Sequence, residues 1–329
     1  MKIFITGASG YVGNNLAHTL AVMGHTVHAI VRSDAPAFLQ HKNIIVFKGD
    51  IMNKESLLPA IKGCEQVYHT AAKVGLWHKD PSIFYAVNVQ GTHNVLEAAL
   101  SAGVHRTVVT STCGVIGPSL NKPMTENDPR ITSYALDYEL SKKMGEDLVF
   151  KYAKKGMNVV VVSPTKVYGP GYVSHALTAN AMINKFLKKK LAFIPAPGSY
   201  EVSCAFIDDI VKGHILAMDG GRAGEKYILS GINLSYYDFF DRIRMISSCG
   251  GRIIKLSRNA MKGWAFLQQA QYKLTGIHPT LTVKSIDALL NNYTFSGEKA
   301  VQELGYTITP LDEAINKTIN FLKHADYEK

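Results

Sequence analysis

The stretch IFITGASGYVG at positions 3–13 constrains this chain more than any other. An apolar run, Ile3, Phe4 and Ile5, breaks at three glycines, Gly7, Gly10 and Gly13, and an apolar-periodic segment follows. That order reads strand, tight loop, helix. Glycine in such a loop permits positive φ and close backbone approach. It also leaves the N–H groups of a helix N-terminus open to an anion such as a pyrophosphate. A plain strand-to-helix turn needs none of the three glycines, so a phosphate cradle is the stronger reading.

Further β-branched runs recur at 27–31, 44–47, 66–69, 107–110 and 159–162, with amphipathic stretches over 14–23, 88–102 and 134–154 between them. Continuous apolar runs mark strands buried on both faces, as parallel sheets require. The expected fold is therefore α/β, a doubly wound parallel sheet over 1–166 with right-handed crossovers. Beyond Pro164 the alternation fades, Pro195, Pro197 and Gly198 punctuate the chain, and helical patterns at 236–248 and 310–323 dominate. A smaller, mostly helical substrate lobe is expected over 167–329, with segments near 200–232 returning to the main sheet. Thr309, Pro310 and Asp312 supply an N-cap, a proline at the first helical position and an early acid for the last helix.

The chain's 329 residues, 47% hydrophobic and 19% charged, are ordinary for a globular protein and exclude disorder. No apolar run approaches the roughly 20 residues that span a bilayer, and the start reads as a strand rather than a signal peptide. Cys64, Cys113, Cys204 and Cys249 are scattered without metal-ligand spacing. Free thiols in a reducing compartment, the cytoplasm, are expected, and no metal. A formal charge of +10 raises an anionic partner, nucleic acid or membrane surface. The densest basic run, KFLKKK at 185–190, falls at a helix end, where lysine favours the dipole, and no nucleic-acid motif accompanies it.

The GxxGxxG spacing after Thr6, VVTSTCGVIG at 108–117 and YELSK at 138–142 together resemble the extended short-chain dehydrogenase/reductase family. This is the NAD-dependent epimerase/dehydratase group, and the likeness is greatest to its dihydroflavonol-4-reductase-like carbonyl reductases. The resemblance implies a Rossmann domain with cofactor contacts at Thr6, Gly7, Gly10, Tyr11, Val12 and Gly13. It adds Asp50 and Ile51 of KGDIMN at the adenine, and Thr70, Ala71 and Ala72 of HTAA. Pro164 and Val167 of SPTKVYGPG would lie beside the nicotinamide, with Lys166 where a small or apolar residue is usual. His69 reads as a packed imidazole rather than a base.

A cofactor with a free ribose 2'-hydroxyl would meet an acid about 20 residues past the glycine loop. VHAIVRSD places Arg32 there instead, with Asp34 two residues on. A guanidinium suits a 2'-phosphate. NADP(H) is therefore the expected cofactor, and NAD(H) the alternative if Arg32 is solvated and Asp34 reaches the ribose.

On a helix, Tyr134, Tyr138 and Lys142 would share one face, and only Tyr138 has a lysine four residues on. A free phenol titrates near 10, and a nearby ammonium together with the nicotinamide charge lowers it. Tyr138 is the expected proton donor, with Lys142 tuning it and, by the resemblance, holding the nicotinamide ribose. Thr112 is the expected hydroxyl on the substrate oxygen, Ser111 the alternative. Val74, Trp77, Trp264, Phe266, Leu267 and Tyr272 could wall a flat hydrophobic substrate or merely pack the lobe.

The expected activity is NADPH-dependent reduction of a ketone or aldehyde on a small hydrophobic or aromatic molecule. An alternative is an NAD-dependent sugar-nucleotide epimerase or dehydratase, whose substrate diphosphate would draw on Arg222, Arg242, Arg244, Arg252 or Arg258. A cofactor-sensing binding protein is a third reading. By the resemblance, the helices over 88–102 and 134–154 could join two copies.

Overall fold

The computed structural model describes residues 1–34, 36–171, 179–276, 279 and 281–324. Its strands are β1 (Lys2–Thr6), β2 (Thr26–Val31), β3 (Ile44–Lys48), β4 (Gln66–His69), β5 (Arg106–Thr110) and β6 (Val159–Pro164), then β7 (Lys166–Tyr168), β8 (Leu191–Pro195), β9 (Glu201–Phe206), β10 (Lys226–Leu229), β11 (Ile232–Ser235) and β12 (Arg252–Leu256). Seven of them form one sheet in the order β10-β6-β5-β4-β1-β2-β3, every pair parallel. Helices of more than one turn are α1 (Tyr11–Val22), α2 (Thr92–Ser101), α3 (Asp137–Lys154), α4 (Ala179–Lys189), α5 (Ile207–Gly220), α6 (Tyr236–Ser247), α7 (Arg258–Thr275), α8 (Val283–Leu289), α9 (Glu298–Leu304) and α10 (Leu311–His324).

The strand period of two sorts the core onto the two sheet faces. Ile3, Ile5, Val160 and Val162 pack with Leu16 and Leu20 of α1 and Ile210 and Val211 of α5. Phe4, Val159 and Val161 pack with Val95 and Leu96 of α2 and Val149 of α3. Strand order reverses between β1 and β4, which opens a crevice at their carboxyl ends. The glycine loop leaves β1 there, residues 70–72 leave β4, and Thr112 follows β5.

After β6 the chain builds the smaller lobe from β11-β9-β7 and the parallel pair β12-β8, then helices. It returns to the main sheet through α5, which covers a face, and β10, which pairs with β6. All four cysteines are free. Among the described residues no helix is long and apolar enough to cross a membrane.

Three helix starts differ from expectation. The helix expected over 134–154 begins at Asp137, because Leu136 is extended at φ −122°, ψ 137°, and Tyr134 lies outside it, under the Arg130 guanidinium. The helix expected from 14 begins at Tyr11, directly off Gly10. The last helix starts at Leu311, with the Ala314 N–H donating to the Pro310 carbonyl. Pro310 therefore takes the N-cap position, and the Thr309 hydroxyl donates to Asp209 (2.6 Å) instead.

Candidate active site

The three glycines are placed as a cradle requires. Gly7 has φ +76°, and a Cβ there would lie 2.5 Å from the Ala71 nitrogen; a Cβ on Gly13 would lie 2.3 Å from the Gly7 carbonyl oxygen. Side chains are excluded at both positions by backbone, which cannot yield cheaply. Gly10 caps α1 with no side chain bonded to the helix end and no acid in its first turn. The positive end of the helix thus has no competing carboxylate, and the donor set suits a dinucleotide pyrophosphate. The Tyr11 hydroxyl donates to the Gly169 carbonyl (2.7 Å), tying this loop to the segment after β7.

A buried chain of hydrogen bonds fixes the floor of the crevice. Thr92 Oγ1 donates to the Asn88 carbonyl (2.8 Å) and so accepts from His69 Nε2 (3.0 Å), which leaves Nδ1 to accept from the Thr6 hydroxyl (2.7 Å). The Ala71 N–H closes the chain on Thr6 Oγ1 (3.3 Å), and the Thr70 hydroxyl donates to the Thr6 carbonyl (2.8 Å). Burial, and secondarily the Lys142 charge, pull His69 down to about 3. His69 is thus a neutral strut with both nitrogens engaged.

Asn88 was not singled out from the sequence. It sits in a π-helical turn, Ala86–Gly91, between the one-turn helix Ser82–Tyr85 and α2. Its amide exchanges hydrogen bonds with the Lys73 backbone (2.8 and 3.1 Å) and donates to Ser141 Oγ (2.9 Å). Ser141 in turn donates to the Tyr138 carbonyl (2.8 Å). Asn88 therefore joins the chain leaving Ala72 to the first turn of α3. A widened turn in an apolar helical pattern is the one sequence signal that could have pointed to it, and periodicity does not resolve such a turn.

Thr112, Tyr138 and Lys142 come together at the carboxyl end of β5. Burial pushes Tyr138 up to about 12, opposed by the Thr112 hydroxyl beside it, which itself accepts from the Gly114 N–H (3.2 Å). The expectation that the lysine lowers the phenol does not hold for the chain alone: Lys142 Nζ donates to the Thr110 carbonyl (2.7 Å). Burial, opposed by Glu146, brings Lys142 down to about 8. Thr110 is held in turn, its hydroxyl donating to His214 Nε2 (2.9 Å) while His214 Nδ1 is engaged by the Ile210 carbonyl (2.7 Å). Ser111 Oγ is buried without a partner among the described residues, so the hydroxyl that meets Tyr138 is that of Thr112.

Arg130 was also missed. Its side chain and that of Glu139 are 9% and 6% exposed and paired at 2.8 Å. The guanidinium donates to the carbonyls of Gly114 (2.5 Å), Thr132 (2.9 Å) and Ser133 (3.2 Å) and stacks 4.1 Å from the Tyr134 ring. One cation thus clamps the loop after Thr112 to the helical turn that carries Tyr138.

Where the adenine is expected, Arg32 is exposed just past β2 with no ion pair among the described residues, whereas Asp34 faces Lys48 at 3.6 Å. Asp50 Oδ1 accepts from the Met52 N–H (2.9 Å), and the Ile51 carbonyl accepts from Asn94 (2.8 Å). Pro164 ends β6, and Val167 lies in β7 beside Ala205. Lys166 reaches the Tyr236 hydroxyl (3.3 Å) and lines a small cavity with Cys204, Met182 and Phe239. Trp77 meets Tyr272 edge-on at 4.9 Å, but Trp264, Phe266 and Leu267 point into solvent. Of the five arginines expected for a substrate diphosphate, Arg222 pairs with Glu303, Arg242 with Asp312, Arg244 with Asp241 and Arg258 with Asp287, while Arg252 is exposed with no ion pair among the described residues.

Residues 3–230, more than half of the chain, match the sequence pattern of the NAD dependent epimerase/dehydratase family. The chain is 28% identical to a putative dihydroflavonol 4-reductase of Synechocystis sp., over 99% of this chain and 96% of that protein. It is 32% identical to sterol demethylase protein B of Methylococcus capsulatus, over 70% of each. A UDP-glucose 4-epimerase of Thermotoga maritima, solved with UDP-glucose, superposes with a TM-score of 0.80 over 98% of this chain and 99% of that one. At 18% identity this shows a common fold. The glycine cradle, the crevice above the parallel sheet and these matches lead to one conclusion: the chain belongs to the NAD dependent epimerase/dehydratase family of extended short-chain dehydrogenases/reductases, and is an NAD(P)-dependent oxidoreductase.

Proposed function

We propose that the protein is an NADPH-dependent reductase of a ketone or aldehyde carried by a hydrophobic or aromatic small molecule. The observation that carries this reading is the placing of the Thr112 hydroxyl beside Tyr138, with Lys142 one turn further along α3. A bound reduced nicotinamide supplies the hydride. Thr112 and Tyr138 hydrogen-bond the carbonyl oxygen, and Tyr138 delivers a proton to it as negative charge develops there. Lys142, held on the Thr110 carbonyl at the same end of β5, would reach the nicotinamide ribose. The glycine cradle and residues 70–72 set the dinucleotide's height above the sheet, with Pro164 and Val167 alongside. The relatives named for dihydroflavonol and sterol chemistry support a carbonyl on a flat, largely apolar skeleton. Four of the five arginines that a sugar-nucleotide diphosphate would draw on are held in ion pairs, which favours the reductase reading. Stoichiometric NADPH consumption across aromatic ketones, dihydroflavonols, steroids and aldehydes tests the reading, and tightly retained NAD with no consumption rejects it.

The preference for NADP(H) rests on Arg32 being exposed and unpaired while Asp34 is turned to Lys48. Loss of a charge-assisted contact is expected to weaken NADPH binding about 10- to 100-fold in Arg32→Ala, with NADH affinity unchanged. An unchanged NADPH affinity removes the assignment. Light scattering that returns the mass of a single chain likewise removes a homodimer through α2 and α3. The four free thiols support a reducing, cytoplasmic location.

The two titrations give a pH dependence with a definite sign. Tyr138 stays protonated until about 12, so the group that titrates first is Lys142, near 8. The rate of reduction is expected to fall as pH rises through about 8, and a pH–kcat/KM profile flat to pH 10 would contradict this. Between about 8 and the ordinary 10.5 the unfolded chain holds the proton that folded Lys142 has lost. This group's contribution to stability therefore rises with pH over that window.

A further inference from the structure

Trp264, Phe266, Leu267 and Leu274 of α7 are 58%, 69%, 61% and 87% exposed. Neither a substrate wall nor lobe packing accounts for them. With 3.6 residues per turn, these four share a face with Gly263 and Ala270, interrupted past the first turn only by Gln271. The opposite face carries Met261 and Ala265, which pack on Ile286 of α8. Exposed apolar side chains are ordinary when scattered singly; four large ones on one helix face mark a contact.

The surroundings of that face are cationic. Residues 252–290 contain six Lys or Arg and a single acid, Asp287, and that acid is engaged by Arg258 at 2.6 Å. Lys262 lies along one flank of the apolar face, Arg258 beside it being held by Asp287, and the whole chain carries +10. We propose that this face docks on an anionic lipid bilayer. The helix lies in the interface with its tryptophan, phenylalanine and leucines at the headgroup–acyl boundary and the neighbouring cations on lipid phosphates. A second copy of the chain is the poorer occupant, since two-fold pairing would bring the same cationic rim against itself. The Trp77–Tyr272 contact joins the docked helix to the loop that continues from Ala71 and Ala72.

Flotation of the full chain with vesicles tests this. Binding is expected to phosphatidylcholine vesicles containing phosphatidylglycerol, to weaken with added salt, and to be much weaker with phosphatidylcholine alone. The triple variant Trp264→Ser, Phe266→Ser, Leu267→Ser should lose at least about tenfold in vesicle partitioning while keeping the wild-type unfolding midpoint. The chain has two tryptophans, so in Trp77→Phe the emission reports Trp264 alone and should shift to the blue on adding anionic vesicles. No binding by the wild type, or a triple variant that floats equally well, overturns the proposal. So does a wild-type dimer that the triple variant dissolves, which would assign the face to a second copy. None of these readouts uses turnover, so they stand or fall separately from the reductase reading.

Discussion

A Tyr138→Phe variant reduces a ketone about 10²- to 10⁴-fold more slowly than the native chain while binding NADPH equally well. The substitution removes one hydroxyl and leaves the ring. Lys142, which we propose holds the nicotinamide ribose, and the glycine loop are untouched, so the loss belongs in kcat rather than in cofactor affinity. Because burial holds the phenol near 12 in the chain alone, the native group enters the reaction protonated and has a proton to give. Steady-state kinetics with a separate fluorescence titration of NADPH measures both quantities. Equal turnover in the variant excludes Tyr138 as the acid.

Truncating Arg130 to alanine lowers unfolding free energy by about 3 to 5 kcal/mol, the range for breaking a buried ion pair from one side. Glu139 is then left buried without its cation, and the carbonyls of Gly114, Thr132 and Ser133 lose their donor. Removing both charges, as in Arg130→Met with Glu139→Gln, should restore part of the loss, because the uncompensated carboxylate is gone. Denaturant unfolding of the two variants measures this, and a loss below about 1 kcal/mol in the alanine variant would mean that the pair behaves as a solvated one. The clamp also joins the Thr112 loop to the turn bearing Tyr138, so kcat falls with stability while the cofactor cradle, formed by other elements, keeps its affinity.

The sheet was readable because its signals are local. Six strands are continuous β-branched runs, and the glycine spacing demands a backbone close approach that the structure displays at Ala71 and at the Gly7 carbonyl. That Thr112 lies beside Tyr138, with Lys142 one turn along α3, was legible for the same reason, as short spacings on adjoining elements. What escaped depends on partners distant in sequence. Tyr134 fits a helical spacing, but Arg130 holds its ring and the chain stays extended to Leu136. Arg130 and Glu139 carry no motif; only folding brings them to 2.8 Å in a dry place. Where the ammonium points was not legible, because spacing reports proximity along a helix only: Lys142 turns to Thr110. On α7 the apolar count was visible, but not that its broad apolar face would be the one left outside.

The late return of β10 to the sheet bears on how the chain is made. Val159 to Val162, fully buried, pair with β5 on one side, and on the other side Val161 to Pro164 pair with residues 226–229. A nascent chain that has emerged only as far as β6 presents an all-valine edge with nothing beside it, the kind of edge that recruits other chains. Until some sixty more residues leave the ribosome, that edge must be shielded by a chaperone or by the sheet staying open, so the nucleotide-binding half matures together with the lobe threaded through it.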